Sequence, residues 1–199
     1  MNSKLIILGC GNSTGVPRID GYWGNCNKKN KKNFRTRCSA VIIRGSNTIL
    51  IDTSPDVKNQ LLNNNIKKLS SIIYTHEHAD QSNGLFELRP YYWITKNKIN
   101  VYGNKKTISF LKKRFDYCFK HNALYPAIVK ANIIKRNFNL GKGKEKINFR
   151  TLEVKHGLIK SVVYIFEKTA YISDCNDMSI INNSILKKLN FLILDCLKL

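Results

Sequence analysis

The residues best suited to chemistry lie in one short stretch, Thr75-His76-Glu77-His78-Ala79-Asp80-Gln81. It continues from Ser71–Thr75, an apolar and β-branched run that predicts a buried strand. Two imidazoles two positions apart, then a carboxylate two further on, leave that strand end where the backbone can bend and let the side chains converge. Imidazole nitrogen and carboxylate oxygen together suit Zn²⁺, Mn²⁺ or iron. The helical zinc-protease pattern His-Glu-x-x-His does not apply, because position 80 is Asp. The chain has four histidines, two of them here. His156 follows the predicted strand Ile147–Val154, and His121 reads as a surface residue.

Two other stretches resemble catalytic motifs. Gly11-Asn12-Ser13-Thr14-Gly15 matches the nucleophile elbow Gly-x-Ser-x-Gly, but an elbow requires a helix directly after it. Val16-Pro17-Arg18 and then Gly21 do not start one. The fingerprint Gly9-x-Gly11 lacks its third glycine and carries little weight.

The elements that must position these residues alternate between short strands and single helices. Lys4–Gly9 is a strand entering a glycine-rich loop. Cys38–Arg44 and Thr48–Asp52 read as a hairpin turned at Gly45-Ser46-Asn47. Asp56 to Lys67 predicts a helix, with Ser54 and Pro55 at its start. Asn100–Tyr102 is a short strand, and Lys105–Phe119 predicts one helix through Ile108, Leu111 and Phe115. Ile147–Val154, Val162–Glu167 and Thr169–Ser173 predict strands, Ser179–Leu189 a helix, and Phe191–Asp195 a last strand. Strands interrupted by helices suggest a mixed-sheet sandwich with helices outside. The length of 199 residues fits one domain over 1–199.

No apolar run approaches the ~18 residues that cross a bilayer, and the N-terminus lacks a signal-peptide core, so a cytoplasmic protein without membrane attachment is expected. The formal net charge is +21. That invites a nucleic-acid partner. Yet Lys (26), Asn (24) and Ile (24) make up over a third of the chain, and all three have AT-rich codons. Base composition therefore accounts for the excess. The dense group Lys28, Lys29, Lys31, Lys32, Arg35 and Arg37 reads as a solvated loop, with a phosphate site as the alternative. None of the six cysteines forms a Cys-x-x-Cys pair, so they read as reduced core residues.

His-x-His-x-Asp after a strand resembles the signature of the metallo-β-lactamase superfamily. Other stretches resemble its phosphoribosyl 1,2-cyclic phosphate phosphodiesterase group. These are Leu8-Gly9-Cys10-Gly11-Asn12-Ser13-Thr14-Gly15-Val16-Pro17-Arg18, Trp23-Gly24-Asn25-Cys26, Ile51-Asp52-Thr53-Ser54-Pro55-Asp56, Gly84-Leu85-Phe86-Glu87-Leu88-Arg89-Pro90 and Leu194-Asp195-Cys196-Leu197-Lys198. The resemblance covers essentially the whole chain. It implies an α/β fold, an αββα four-layer sandwich, here with the C-terminal part lacking.

It also implies roles. His76, His78 and His156 would hold a first metal, Asp80 a second, and Asp174 would bridge them. Asp80 and Asp174 are the catalytic candidates, able to orient a water or accept its proton. Arg18 and Arg89 are candidate contacts for a substrate phosphate. Asp52 resembles a residue that orients ligands from behind, with turn capping as the plainer reading. Two departures fall on the second metal. Gln81 stands where the family has His, leaving an amide oxygen as a doubtful ligand. The family's last histidine would lie beyond Leu199. One firmly bound Zn²⁺ or Mn²⁺ and a weak second site are therefore expected. The implied activity is hydrolysis of a small cyclic phosphate sugar by a metal-activated water, with a homodimer among the assemblies the family admits. The alternatives are a tRNA-processing nuclease of the same superfamily, and a truncated copy with little or no catalysis.

Overall fold

The computed structural model describes residues 2–122, 124–176, 179, 182 and 184–196. Two β-sheets carry them. The first is ordered β1 (Lys4–Gly9), β2 (Ser39–Arg44), β3 (Asn47–Ile51), β4 (Ser71–Ile73), β5 (Ile99–Gly103) and β6 (Val129–Ile133). The second is ordered β7 (Asn137–Leu140), β8 (Ile147–His156), β9 (Ile159–Phe166), β10 (Thr169–Ile172) and β11 (Phe191–Leu194).

β1, β2 and β3 pair antiparallel, whereas β3 to β6 are parallel. Parallel neighbours need crossovers, and helices supply them. α1 (Val57–Asn63) joins β3 to β4. α2 (Ala79–Ser82) and α3 (Arg89–Thr95) lie between β4 and β5, and α4 (Lys105–Arg114) with α5 (Asp116–Phe119) between β5 and β6. Covered on both faces, β3 and β4 are buried at every residue, which is why they carry the apolar runs Ile49-Leu50-Ile51 and Ile72-Ile73.

Three apolar layers hold the sandwich. Ile42, Ile49, Ile51 and Ile73 face Phe149, Val162, Tyr164 and Tyr171 between the sheets. Leu50, Ile72, Tyr74 and Val101, on the opposite face of the first sheet, pack on Val57 and Leu61 of α1 and on Ile108 and Leu111 of α4. Val163, Ile165, Ala170 and Ile172 on the outer face of the second sheet meet Leu186, in a single 3-10 turn at Leu186–Lys188. The four-layer order is thus present, with a thin outer layer over the second sheet among the described residues. Most of the helix expected over Ser179–Leu189 lies outside the described residues.

Several elements differ from expectation. The hairpin closes on two residues, Gly45-Ser46, with Arg44 facing Asn47. Gly45 takes φ 58°, open to a residue without a side chain. α1 stops at Asn63 rather than Lys67. Asn65 adopts φ 54°, its N–H bonds Leu62 O, and Ile66 N–H reaches back to Leu61 O, which is a Schellman cap. The helix expected over Lys105–Phe119 breaks at Phe115 (φ −121°, ψ 42°). That break places Phe115 and Cys118 in the core beside α4 and lets the Cys118 carbonyl accept from Ile128 N–H. Of the basic loop, Arg37 turns inward to Asp56 at 3.1 Å, while Lys28, Lys29, Lys31 and Lys32 are exposed. None of the described helices is long and apolar enough to cross a membrane.

Candidate metal centre

Strand ends from both sheets meet at one edge of the sandwich. The chain leaves β4 at Ile73 and reaches His76 and His78. β8 ends on His156, and Asp174 follows β10 by two residues. Hydrogen bonds between the sheets set the distance: Val162 N–H donates to Thr75 O at 2.9 Å, and the Tyr164 side chain donates from Oη to Tyr74 O at 2.7 Å.

The imidazoles converge. His76 Nε2 lies 3.2 Å from His78 Nδ1, which lies 3.2 Å from His156 Nε2. Asp174 Oδ2 is 3.3 Å from His76 Nε2. A tetrahedral ion bound at about 2.0–2.1 Å separates its ligand nitrogens by about 3.3 Å, close to these spacings. His78 Nδ1 carries at most one proton and can donate to only one of its two neighbouring nitrogens, so the donor set fits a cation better than mutual pairing.

A chain of hydrogen bonds behind His76 fixes its tautomer. Thr75 Oγ1 donates to Asp52 Oδ2 at 2.7 Å, and Thr75 N–H to Asp52 Oδ1 at 2.8 Å. With its proton committed, Thr75 Oγ1 accepts from His76 Nδ1 at 3.0 Å. His76 Nε2 is left with a free lone pair aimed at the cluster. Burial, with His78 and His156 adding to it, lowers His76 to about 3, so the ring is neutral and able to ligate near neutral pH. Asp52 holds φ 61°, a conformation rare outside glycine and tolerated by Asp. Burial raises its carboxyl well above the usual range, against the two Thr75 bonds. Asp52 thus accepts from both the backbone and the hydroxyl of Thr75, the residue before His76.

Glu77 points away from its neighbouring histidines. It accepts from Thr107 Oγ1 at 3.0 Å and faces Lys106 Nζ at 3.2 Å, tying the motif loop to α4. Neither Thr75 nor Glu77 stood out as more than part of the motif in the sequence. The signal for Glu77 was alternation, which places it opposite His76 and His78 in extended backbone.

Beside the cluster is a cavity of about 450 Å³, lined by His78, Asp80, Gln81, His156 and Asp174, by the loop Gly9 to Ser13, and by Tyr171, Ile193 and Leu194. Asp80 lines this cavity with Asp174. Arg18 and Arg89 do not line it: Arg18 is ion-paired with Asp20 and lies over Tyr22, and Arg89 lies over the Tyr125 ring. Ser13 does line the cavity, but no helix follows its loop, and Val16 instead bridges to Arg35, so the elbow geometry is missing. Cys38, also on the wall, is pushed up to about 12 by burial and is no thiolate nucleophile. His121 is exposed, as read from the sequence.

Burial raises Asp174 from 3.8 to about 6, and the nearby Asp80 carboxylate adds to the shift. A bound cation would reverse it. Because the folded value lies above the unfolded one, this group's contribution to stability is complete below about pH 4 and is lost as pH rises through about 6. In metal-free protein Asp174→Asn is therefore expected to be more stable than wild type at pH 7.5, on the order of 2 kcal/mol. The difference should shrink as pH falls and vanish below about pH 4. Denaturant unfolding of both proteins in chelator checks this; a pH-independent difference would contradict it.

A sandwich of two mixed sheets, flanked by helices and carrying a three-imidazole and carboxylate cluster at one sheet edge, defines a class of metal-binding α/β proteins. The chain belongs to that class's metallo-β-lactamase superfamily: residues 47–198 match the model of the beta-lactamase superfamily domain. It falls in the PhnP-like group. A crystal structure of a new diphosphatase from the PhnP family superposes with a TM-score of 0.79 at 31% identity, covering 96% of this chain and 72% of that one. Zn²⁺-bound PqqB from Methylobacterium extorquens shares the fold, with a TM-score of 0.70 at 16% identity over 98% of this chain and 72% of that one. A protein of Porphyromonas gingivalis (strain ATCC BAA-308 / W83) named octanoyltransferase is 29% identical over 98% of this chain. The chain spans 39% of that protein's length. The fold implies binding of a divalent metal, and the histidine cluster is where the described residues offer it.

Proposed function

We propose that this chain is a metal-dependent hydrolase of a small phosphodiester, a cyclic phosphate of a phosphorylated sugar such as phosphoribosyl 1,2-cyclic phosphate. The observation that carries the reading is the meeting of His76, His78, His156 and Asp174 beside a cavity of about 450 Å³. That volume suits a metabolite-sized ligand. The likeness to a PhnP-family diphosphatase supports phosphoester chemistry. The octanoyltransferase match, limited to 39% of that protein, supports no acyl-transfer reading.

The three histidines and Asp174 would hold one divalent ion, Zn²⁺ or Mn²⁺. Such an ion supplies Lewis acidity toward a phosphoryl oxygen and makes water acidic enough to attack near neutral pH. The protein's own groups do the rest. The Asp52–Thr75 chain presents the lone pair of His76. Asp80 and Asp174, on the cavity wall, orient the attacking water and accept its proton. Ile7, Ile193 and Leu194 limit solvent on the apolar side. Arg18 and Arg89 serve at most as outer contacts for a terminal phosphate, because both side chains already have partners outside the cavity.

The tRNA-nuclease reading keeps one observation. Lys105, Lys106, Lys155 and Lys160 line a groove along Gly157 and Leu158, next to His156. It ranks second because Lys106 is paired with Glu77 and Lys160 with Glu153.

The test is hydrolysis of a ribose cyclic phosphodiester and cleavage of a precursor tRNA, each before and after chelation and after adding back Zn²⁺ or Mn²⁺. Metal-restored turnover of the small diester is expected. Turnover unaffected by chelation removes the metal mechanism, and cleavage of the tRNA alone would select the nuclease.

A further inference from the structure

Gln81 was read from the sequence as a poor ligand for a second metal. Its geometry is that of a donor. Nε2 lies 3.3 Å from Asp80 Oδ2 and 3.2 Å from Asp174 Oδ2. These are the two carboxylates that the resemblance assigns to the second ion. Asp174 Oδ2, the oxygen meant to bridge, faces His76 Nε2 on one side and the Gln81 amide on the other. Gln81 is 1% exposed, and its backbone is held on both sides: its N–H bonds His78 O, and its carbonyl accepts from Thr53 N–H at 2.8 Å.

We infer that the Gln81 carboxamide takes the place of a second cation, so that this member of the group works with a mononuclear centre. The inference rests on the metal reading above. Two carboxylates converging at a partly buried point repel unless something positive stands between them. An amide NH₂ offers two N–H groups and can reach both at once. The opposite amide orientation would aim Oε1 at both carboxylates, adding repulsion to repulsion. In the observed one, Oε1 is buried without a partner among the described residues, a smaller cost than a third oxygen among charges. A neutral histidine at this position carries a single N–H and needs a cation to join both carboxylates. Glutamine does not.

The experiment strips the protein with chelator, adds excess Zn²⁺, desalts it and counts ions per chain by mass spectrometry, alongside thermal melts. Wild type should retain one ion and Gln81→His two. Gln81→Glu, similar in shape but an acceptor, should melt lower than wild type when metal-free and regain its melting temperature only beyond one equivalent of Zn²⁺. Two ions retained by wild type would overturn the inference and leave the metal-hydrolase reading standing. No ion retained would overturn both. If both variants keep a single ion and melt like wild type, the amide is not a cation substitute.

Discussion

His76→Ala is expected to abolish metal retention and to lower the proposed hydrolase activity beyond the roughly 100-fold that changes behind a ligand cause. His76 is fully buried and has the most restrained side chain of the cluster. It is also the histidine that Asp174 Oδ2 touches. Removing it deletes one ligand and leaves Asp174 without its neighbour. A graded control is Thr75→Val, which keeps every ligand but cuts the link to Asp52. It should weaken metal affinity by about 10–100-fold. Competitive titration against a coloured chelator, with kcat/KM measured at saturating metal, separates the two. Equal losses in both variants would mean that the hydrogen-bond chain matters as much as the ligand itself. Full activity in His76→Ala would place the chemistry elsewhere.

Tyr164→Ala is expected to destabilise the fold by about 3–5 kcal/mol, the range for truncating a buried large aromatic. Tyr164 is fully buried between the sheets, edge-on to Phe149 and Phe138. Its hydroxyl donates to Tyr74 O, the carbonyl just before Thr75 and His76. Truncation thus opens a cavity and also frees the loop that carries two of the histidines. Tyr164→Phe separates the two effects. It keeps the ring and removes the bond, so it should cost on the order of 1–2 kcal/mol while reducing metal affinity out of proportion to that loss. Urea unfolding together with metal titration of both variants measures it. An alanine variant less than 1 kcal/mol down would show that the inter-sheet layer collapses around the gap.

The centre was legible because its residues are chemically rare in this chain. With four histidines in all, His-x-His-x-Asp at the exit of an unbroken apolar strand left few structural readings. His156 and Asp174 were found through resemblance; nothing local marks them, since what makes them useful is the ends of β8 and β10 arriving at the same edge. Strands buried on both faces declared themselves, as β3 and β4 did. β6 and β7, sheet-edge strands with polar residues between apolar ones, carried too weak a pattern to be proposed. α3 was missed as well. Its Arg-Pro-Tyr-Tyr-Trp-Ile-Thr has no fully buried residue, only Tyr91 and Tyr92 resting partly buried on the core, although Pro90 near its start was a usable sign. The break at Phe115 was invisible because helical spacing continues through it, and only packing of Cys118 against the sheet decides it. Gln81 was noticed as a departure, but which end of its amide faces the carboxylates is a matter of three-dimensional position.

The cluster draws His76 and His78 from one sheet and His156 and Asp174 from the other. An ion held there is a rivet across the two halves of the sandwich. Partners 78 or more positions apart in the chain cannot meet until both sheets have docked, so capture of the ion is a late event in assembly. The ion would then stabilise only the finished fold, adding about 2.7 kcal/mol when free metal is a hundredfold above its dissociation constant. Scarcity of metal would shorten the lifetime of the whole protein as well as silencing its chemistry.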